Sequence, residues 1–388
     1  MTKRNRSNRT FAGLALATAI AGLSPLGALA QSDTYSSAAH DFEITTVAEG
    51  LEVPWSMTWL PNGDMLVTER PGRLRIVRNG TLLAAPVEGV PEVHAVGQGG
   101  LFDVLPHPDF ESNKLVYLSF SKPLPDESTT TVIRGTFEND RLSNVETIFQ
   151  ADTTGRNGHY GGRIAFDNDG YLFITIGDRQ APPSGNLEAH PAQDLANHSG
   201  TVIRLHDDGR VPSDNPFVGR RDALPEIYSY GHRNPQGIDI HPVTGDVWTD
   251  EHGPQGGDEL NIEEAGKNYG WPVIGYGVNY GPGLPIHSSQ QSEGMEQPRH
   301  FWVPSIATAG LMIYSGDLFP NWKGDIFVGG LRGQQLARVD LNDEGKMAMM
   351  EETLLNGIGR IRDIHQGPEG AIYIATENRG ILRLTPSN

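Results

Sequence analysis

Short apolar runs separated by polar turns recur along the chain after residue 42. In a representative copy, residues 61–64 (PNGD) lead into the apolar residues 65–67 (MLV). A turn rich in Gly and Asn that is followed by β-branched or aromatic residues is typical of a hairpin entering a buried strand. The turns of six such copies fall near residues 63, 113, 170, 245, 324 and 370, and the second copy is the weakest. The pattern therefore predicts a repeated all-β architecture.

The spacing of the six copies indicates the kind of repeat. They lie about sixty residues apart on average, slightly more than a four-stranded propeller blade requires. We therefore predict a six-bladed β-propeller with four-stranded antiparallel blades. Gly and Pro interrupt helical periodicity, and only residues 192–196 and 260–265 suggest a short helix. The extra length lies in residues 179–197 and 276–299, which we expect to form loops that cap one face of the propeller.

The first thirty residues differ from the rest of the chain. Four basic residues, an apolar run over residues 11–23 and the small-residue pattern at 28–30 (ALA) predict a signal peptide over residues 1–30, with the mature chain starting at Gln31. The run is too short to favour a membrane anchor, so no stable membrane insertion is expected. We expect a periplasmic or secreted protein, with a flexible segment over residues 31–41 and a propeller domain over residues 42–388.

The chain is acidic, with a formal net charge of −18 over 388 residues. Loss of the four basic residues of the leader would change this charge to −22. Such a charge argues against nucleic-acid binding, which uses basic surfaces, and supplies carboxylates for hard cations. There is no cysteine, so an exported form cannot use disulfides and must bury a large core.

Several familiar catalytic motifs are missing from the sequence. We find no HExxH, no GxxxxGK[ST], no GxSxG and no EF-hand loop. The glycines of residues 97–100 (GQGG) lack the strand-to-helix context of a dinucleotide-binding fold. Zinc coordination through cysteine is impossible. These absences leave chemistry carried by loops.

Two such loops stand out. Residues 230–237 (YGHRNPQG) place an Arg-Asn pair between glycines and a proline, and residues 253–259 (GPQGGDE) combine a Gly-Pro turn with adjacent carboxylates. Neither sequence suits a helix or a strand, and loops of this kind often carry function. Together the loops resemble those of the soluble aldose sugar dehydrogenases that depend on pyrroloquinoline quinone (PQQ), the glucose/sorbosone dehydrogenase family. The resemblance extends from about residue 42 to residue 385.

The resemblance implies a cofactor site on the propeller loops. PQQ is a planar tricarboxylate, and the fork of arginine matches carboxylates well. The residues implied to hold PQQ are Gln98, Asn234, Arg332, Arg360 and Arg362.

The resemblance also implies a catalytic pair and a metal. His159 would act as general base and Arg233 would stabilise developing negative charge, since imidazole titrates near neutral pH. Calcium is the implied metal, because it accepts backbone carbonyls and carboxylates as ligands. The carbonyls of Gly253 and Pro254 would meet an ion beside PQQ. Asp258, Glu259 and the carbonyl of Tyr269 would hold a second, structural ion.

The implied reaction is oxidation of an aldose at the anomeric carbon to an aldonolactone, with electrons leaving for an unknown periplasmic acceptor. Two alternatives remain open at this point. One is a calcium-dependent propeller hydrolase such as a lactonase, and the other is a non-enzymatic propeller that binds carbohydrate or protein. No long insertion requires a dimer, and the sequence is compatible with a monomer.

Overall fold

Six antiparallel sheets follow one another along the chain in the computed structural model, which describes residues 33–387. The first two strands are β1 (Asp33–Ser36) and β2 (Asp41–Ala48). Blade 1 contains β3 (Pro54–Trp59), β4 (Met65–Glu69), β5 (Arg73–Arg78) and β6 (Thr81–Leu82). Blade 2 contains β7 (Leu101–Pro106), β8 (Leu115–Pro123), β9 (Ser128–Glu138) and β10 (Arg141–Gln150). Blade 3 contains β11 (Ile164–Phe166), β12 (Leu172–Ile176), β13 (Thr201–Leu205) and β14 (Ile227–Tyr230).

The remaining blades repeat this arrangement. Blade 4 contains β15 (Pro235–Ile240), β16 (Val247–Glu251), β17 (Asp258–Glu263) and β18 (His300–Trp302). Blade 5 contains β19 (Thr308–Ile313), β20 (Ile326–Gly330), β21 (Leu336–Leu341) and β22 (Ala348–Leu354). Blade 6 contains β23 (Ile361–Gln366), β24 (Ile372–Thr376) and β25 (Gly380–Pro386). One helical turn, α1 (Phe110–Asn113), links β7 to β8. In the described part of the chain, no helix is long and apolar enough to cross a membrane.

The innermost strand of each blade contacts the innermost strand of the next, and β23 contacts β3, so the ring closes. The predicted six-bladed β-propeller is confirmed. Closure uses the N-terminal part of the described chain, because β2 pairs with β25 and turns blade 6 into a five-stranded sheet with β1 at its edge. The flexible segment expected at residues 31–41 therefore differs from the structure, in which residues 33–36 pair with β2. The signal peptide predicted over residues 1–30 lies outside the described residues.

The recurring turns noted in the sequence all occupy one position. Each joins the innermost strand of a blade to its second strand, as where Leu60 N donates to Asp64 O across the first turn at 2.9 Å. The helix expected at residues 260–265 is wrong, because residues 260–263 belong to β17, which pairs with β16 on one side and β18 on the other. At residues 192–196 the structure contains only the 3-10 turn Pro191–Gln193. Tertiary pairing has overridden a weak local preference.

Three aspartates, of which Asp103 and Asp363 are buried and Asp239 is half-buried, join innermost strands of neighbouring blades. Each accepts a hydrogen bond from a backbone N–H of the next blade, which satisfies a donor that the curved sheet leaves unpaired. These bonds link Asp103 to Ile164 N (3.0 Å), Asp239 to Ile313 N (2.8 Å) and Asp363 to Met57 N (2.9 Å). Blades 2 and 3, 4 and 5, and 6 and 1 are thereby tied in pairs.

A single guanidinium, that of Arg163, spans the central channel. It donates to the Asp363 carboxylate at 2.6 Å, to Gln236 O at 2.8 Å and to Arg362 O at 2.7 Å. Its Cζ also lies 4.1 Å from the ring centre of Trp55. Arg163 is 4% exposed and so connects blades 3, 6, 4 and 1 inside the protein. A cavity of about 260 Å³, lined by Arg163 and the three aspartates, lies on one side of it.

Arg163→Met is expected to lower the free energy of unfolding by about 3 to 5 kcal/mol, because it leaves the Asp363 carboxylate buried without its cation. Burial already raises the pKa of Asp363, and loss of Arg163 removes the charge that opposes this shift. Denaturant unfolding measures the change, and adding Asp363→Asn should restore part of it. The control Arg220→Met removes a surface ion pair and should cost at most about 1 kcal/mol. Equal losses in the two single variants would contradict the role of Arg163.

Candidate active site

Bulges in the innermost strands aim side chains into one end of the channel. The pairing register shifts around Trp55 in β3, Phe102 in β7, Gln236 in β15 and Arg362 in β23. A bulge redirects the side chain of its extra residue and is common beside functional sites. All four side chains line a cavity of about 280 Å³. The cavity is therefore built from equivalent positions of four blades.

One wall of this cavity is aromatic. Trp55, Phe102 and Tyr160 form a buried cluster with ring centres 5.3 Å and 5.4 Å apart for successive pairs. Trp55 lies in β3, Phe102 lies in β7, and Tyr160 lies in the segment that leads into β11. Arg163 closes the cluster from the channel side. Such a surface suits a flat, conjugated ligand.

Another part of the cavity lining is cationic. Arg360 and Arg362 share the carboxylate of Glu377, at 2.7 Å and 2.8 Å. Burial lowers the pKa of Arg362 to about 10, so its guanidinium remains charged at neutral pH, and its Nε is buried without a hydrogen-bond partner. Arg70 lines the same cavity. Three guanidinium groups and one carboxylate leave a formal charge of +2, which favours an anionic ligand.

The structure brings four of the five residues implied to hold PQQ into this cavity. Asn234, Arg360, Arg362 and Gln98 line the cavity, and Asn234 Oδ1 also accepts a hydrogen bond from Gly161 N at 3.1 Å. The side chain of Arg332 is exposed and does not line the cavity. Its assignment remains a prediction that the geometry of this structure does not support directly.

His159 lies in a second cavity of about 350 Å³, which shares Gln98 with the first. Its Nδ1 is 2.6 Å from Asp178 Oδ1, and the other oxygen of Asp178 accepts from Trp271 Nε1 at 2.8 Å. The Asp178 carboxylate therefore accepts a hydrogen bond from Nδ1–H, which leaves Nε2 as the unprotonated nitrogen. Nε2 forms no hydrogen bond to any residue from 33 to 387. Burial, with smaller contributions from nearby arginines, lowers the pKa of His159 and keeps the imidazole neutral near pH 7.

Gly158, Gly161 and Gly162 flank His159 and leave little side-chain bulk near it in the sequence, which predicts an exposed imidazole. The structure shows that this prediction is wrong. His159 is 7% exposed. The glycines provide room that neighbours fill: a Cβ on Gly158 would lie 2.5 Å from the Gln180 side chain, and one on Gly161 would lie 2.4 Å from Thr175 O. The small residues permit close packing and do not open the site to solvent.

Hydrogen bonds to residues 251–253 fix Arg233 beside His159. Its backbone N donates to the Glu251 carboxylate at 2.6 Å, and its guanidinium donates to His252 O at 3.0 Å and Gly253 O at 2.8 Å. Arg233 and His159 line the same cavity, together with Trp271. His252 lines the first cavity, the one of about 280 Å³. Burial lowers the pKa of His252 to about 3, so this imidazole is neutral.

The residues implied to bind calcium lie close together but have different environments. Gly253, Pro254, Glu259 and Tyr269 line a cavity of about 20 Å³, large enough for one ion or water. Burial and the nearby Glu251 raise the pKa of Glu259, a repulsion that a cation would relieve.

Asp258 does not line this small cavity. Its oxygens accept hydrogen bonds from Gly253 N, Ser305 Oγ and Ala307 N at 2.7 to 2.9 Å. Within residues 33–387 no group of three or more His, Asp or Glu side chains is arranged to hold a metal. A cation here would need backbone carbonyls, as the resemblance implies.

Comparison with known proteins decides the family. Residues 51–383 match the sequence profile of the glucose/sorbosone dehydrogenases. The chain belongs to the glucose/sorbosone dehydrogenase family. The aldose sugar dehydrogenase YliI of Escherichia coli strain K12 is 39% identical over 354 residues, which cover 89% of this chain and 93% of that protein.

Two solved structures extend the comparison. The apo-form of the soluble aldose sugar dehydrogenase from Escherichia coli has a TM-score of 0.81 and 36% identity, covering 89% of this chain and 100% of that one. The PQQ-bound form of the aldose sugar dehydrogenase from Streptomyces coelicolor has a TM-score of 0.73 and 27% identity, covering 89% and 98%.

Sequence reasoning missed several site residues of this glucose/sorbosone dehydrogenase. Asp178 lies two residues after the end of the buried strand β12, and a carboxylate near the end of a buried strand was an available signal. No signal in the sequence pointed to the aromatic wall, to Gln236 or to Glu377. A bulge or a contact between blades is not visible in a local sequence pattern.

Asp178→Asn is expected to lower the pKa of His159 further, because the variant removes the negative charge that stabilises the imidazolium. Both Asp178 oxygens accept N–H donors, so an amide must turn its NH₂ toward one of them and disturb the Nδ1–H tautomer. NMR of the ring nitrogens measures the pKa and the tautomer. The control Asp167→Asn alters a turn at the far end of the β11–β12 hairpin and should leave His159 unchanged. An unaltered titration in Asp178→Asn would show that Asp178 does not control this ring.

Proposed function

We propose that this protein is a quinoprotein dehydrogenase that oxidises aldose sugars at the anomeric carbon to aldonolactones, using PQQ and calcium. The observation that carries the proposal is the meeting of two cavities at Gln98. One cavity combines a flat aromatic wall with three arginines, and the other contains a neutral histidine with a free Nε2. Membership of the family supports the same activity.

The first cavity fits a planar tricarboxylate. Its net positive charge, the unpartnered Nε of Arg362 and the aromatic wall match the carboxylates and the ring system of PQQ. Asn234 and Gln98 would add polar contacts. When bound, PQQ would supply the electron acceptor for the hydride that leaves the sugar, and calcium would increase its electrophilicity.

In the second cavity, His159 Nε2 would accept the proton of the anomeric hydroxyl while the C1–H bond breaks. Asp178 would hold the ring in the required tautomer and stabilise the imidazolium that forms. Loss of the proton and the hydride converts the hemiacetal to a lactone. Arg233, close to both His159 and the Gly253 carbonyl, would stabilise negative charge that develops at the reacting end of the cavity.

Calcium would bind beside PQQ through the Gly253 and Pro254 carbonyls. A second ion would bind near Glu259 and the Tyr269 carbonyl, where two carboxylates repel each other. In this proposal Asp258 positions the loop and is a weaker candidate ligand, because it does not line the small cavity.

We extend the proposal to location and partners. The leader-like sequence of residues 1–30 indicates export, and the electron acceptor would then be a periplasmic or extracellular species. Identification of the N-terminal residue of the exported protein tests this, with Gln31 expected.

The apo protein is expected to oxidise aldoses only after addition of both PQQ and calcium. The reason is that the arginine cavity, which would hold PQQ, and the cavity at the 253–254 carbonyls, which would hold calcium, share His252 in their linings. The absorbance spectrum and dye-coupled turnover after reconstitution measure the result, with NAD and calcium-free samples as controls. Activity with NAD alone, or lactone hydrolysis without any PQQ spectrum, would contradict the proposal.

His159→Ala is expected to reduce turnover by about a hundredfold to ten-thousandfold while PQQ affinity stays near that of the parent, because only the base is lost. Burial holds the pKa of His159 below its usual value of 6.5, so parent turnover should decline only when the pH falls below that value. Turnover, PQQ titration and melting temperature are measured on the same preparation. Near-parental turnover would remove His159 from the reaction.

A further inference from the structure

We infer that Arg70, a residue of blade 1, is a direct ligand of a carboxylate of the bound cofactor, together with the arginine pair of the neighbouring blade 6. The inference rests on the proposed function and adds a residue that the family resemblance did not imply. It is carried by the position of Arg70, by the state of its guanidinium and by the contrast with Arg332.

The backbone of Arg70 is fixed on both sides. Arg70 follows β4, its N donates to Val53 O at 3.1 Å, and its O accepts from Leu101 N at 3.0 Å. The aliphatic part of the side chain crosses Gly100, where a Cβ would lie 2.5 Å from Arg70 Cγ. Gly100 thus allows the Arg70 side chain to reach the cavity.

The guanidinium lacks a counter-charge. It donates to Gly97 O at 2.7 Å and has a buried Nε with no partner, and it forms no ion pair with any carboxylate among residues 33–387. Arg360 and Arg362 instead share Glu377. In a chain with 48 acidic and 30 basic residues, a partly buried guanidinium without a carboxylate requires another anion.

The cavity provides a place for that anion. Arg70 lines it together with Gln98, Arg360, Arg362 and Glu377. Because Glu377 already offsets one of the two blade-6 charges, the pair has about one positive charge left for a ligand. A tricarboxylate needs a further cation, and Arg70 supplies it from the neighbouring blade 1.

Arg332 makes a matched comparison. The resemblance assigned it to the cofactor, but its side chain is exposed and lies outside the cavity lining. The two arginines can therefore be altered in the same way, with Met preserving the apolar stem and removing the charge.

The experiment is a titration of the apo protein with PQQ in the presence of calcium, followed by absorbance and tryptophan fluorescence. Arg70→Met is expected to weaken PQQ binding about tenfold to a hundredfold, whereas Arg332→Met should change it less than about threefold. Loss of one ionic contact should also reduce the dependence of the affinity on salt in Arg70→Met alone. Melting temperatures of the apo forms show that the fold persists.

Parental affinity in Arg70→Met, or a larger loss in Arg332→Met, overturns the inference. If Arg70→Met does not fold, Arg70→Lys replaces it: the fork is lost and the charge is kept, so PQQ should bind about threefold to tenfold more weakly, and unchanged binding overturns the inference. Failure of the parent protein itself to bind PQQ would instead refute the proposed function.

Discussion

The Arg163 guanidinium is the contact on which the arrangement of this propeller depends. In a propeller the blades are local units, and something must hold their inner strands at fixed distances around a channel too wide for backbone pairing. Arg163 meets a carboxylate, two backbone carbonyls and an aromatic ring from three other blades. The two carbonyls belong to Gln236 and Arg362, the residues at two of the bulges that line the first cavity. Stability of the channel and geometry of the site are thus coupled through one side chain.

The site shows how a repeated fold acquires a unique function. Bulges occur at equivalent places in several inner strands, yet the bulged residues are an indole, a phenyl ring, an amide and a guanidinium. The repeat supplies positions around one axis, and the residue type at each position supplies the chemistry. The side chains of Trp55, Phe102 and Tyr160 form the aromatic wall. Charged side chains of blades 1 and 6 form the cationic part of the lining.

Burial controls the charge state of the groups around His159. A neutral imidazole beside cations is favoured because the protein interior penalises a further positive charge, while Asp178 limits that penalty and fixes the tautomer. The same low-dielectric surroundings raise the pKa of Glu259 next to Glu251. Burial therefore lowers the pKa of His159 and raises that of Glu259. The lowered pKa leaves His159 able to accept a proton, and the raised pKa shows that the Glu251–Glu259 pair favours a bound cation.

The amino-acid sequence alone determined the number of blades, because each turn between the first and second strand of a blade uses local chemistry that is legible in residues such as 61–64 and 168–170. It also identified the segments at residues 230–237 and 253–259 as functional candidates. The expectation that neither suits a strand is wrong in part, because residues 235–237 begin β15 and residues 258–259 begin β17. The sequence could not reveal that residues 260–263 form a strand or that residues 33–36 join the last blade, since both depend on partners distant in the sequence. The burial of His159, its pairing with Asp178, and the different placement of Arg70 and Arg332 were likewise decided by the tertiary structure. The glycines near His159 do not show by themselves whether this residue is exposed, because other side chains can fill the space that glycines leave.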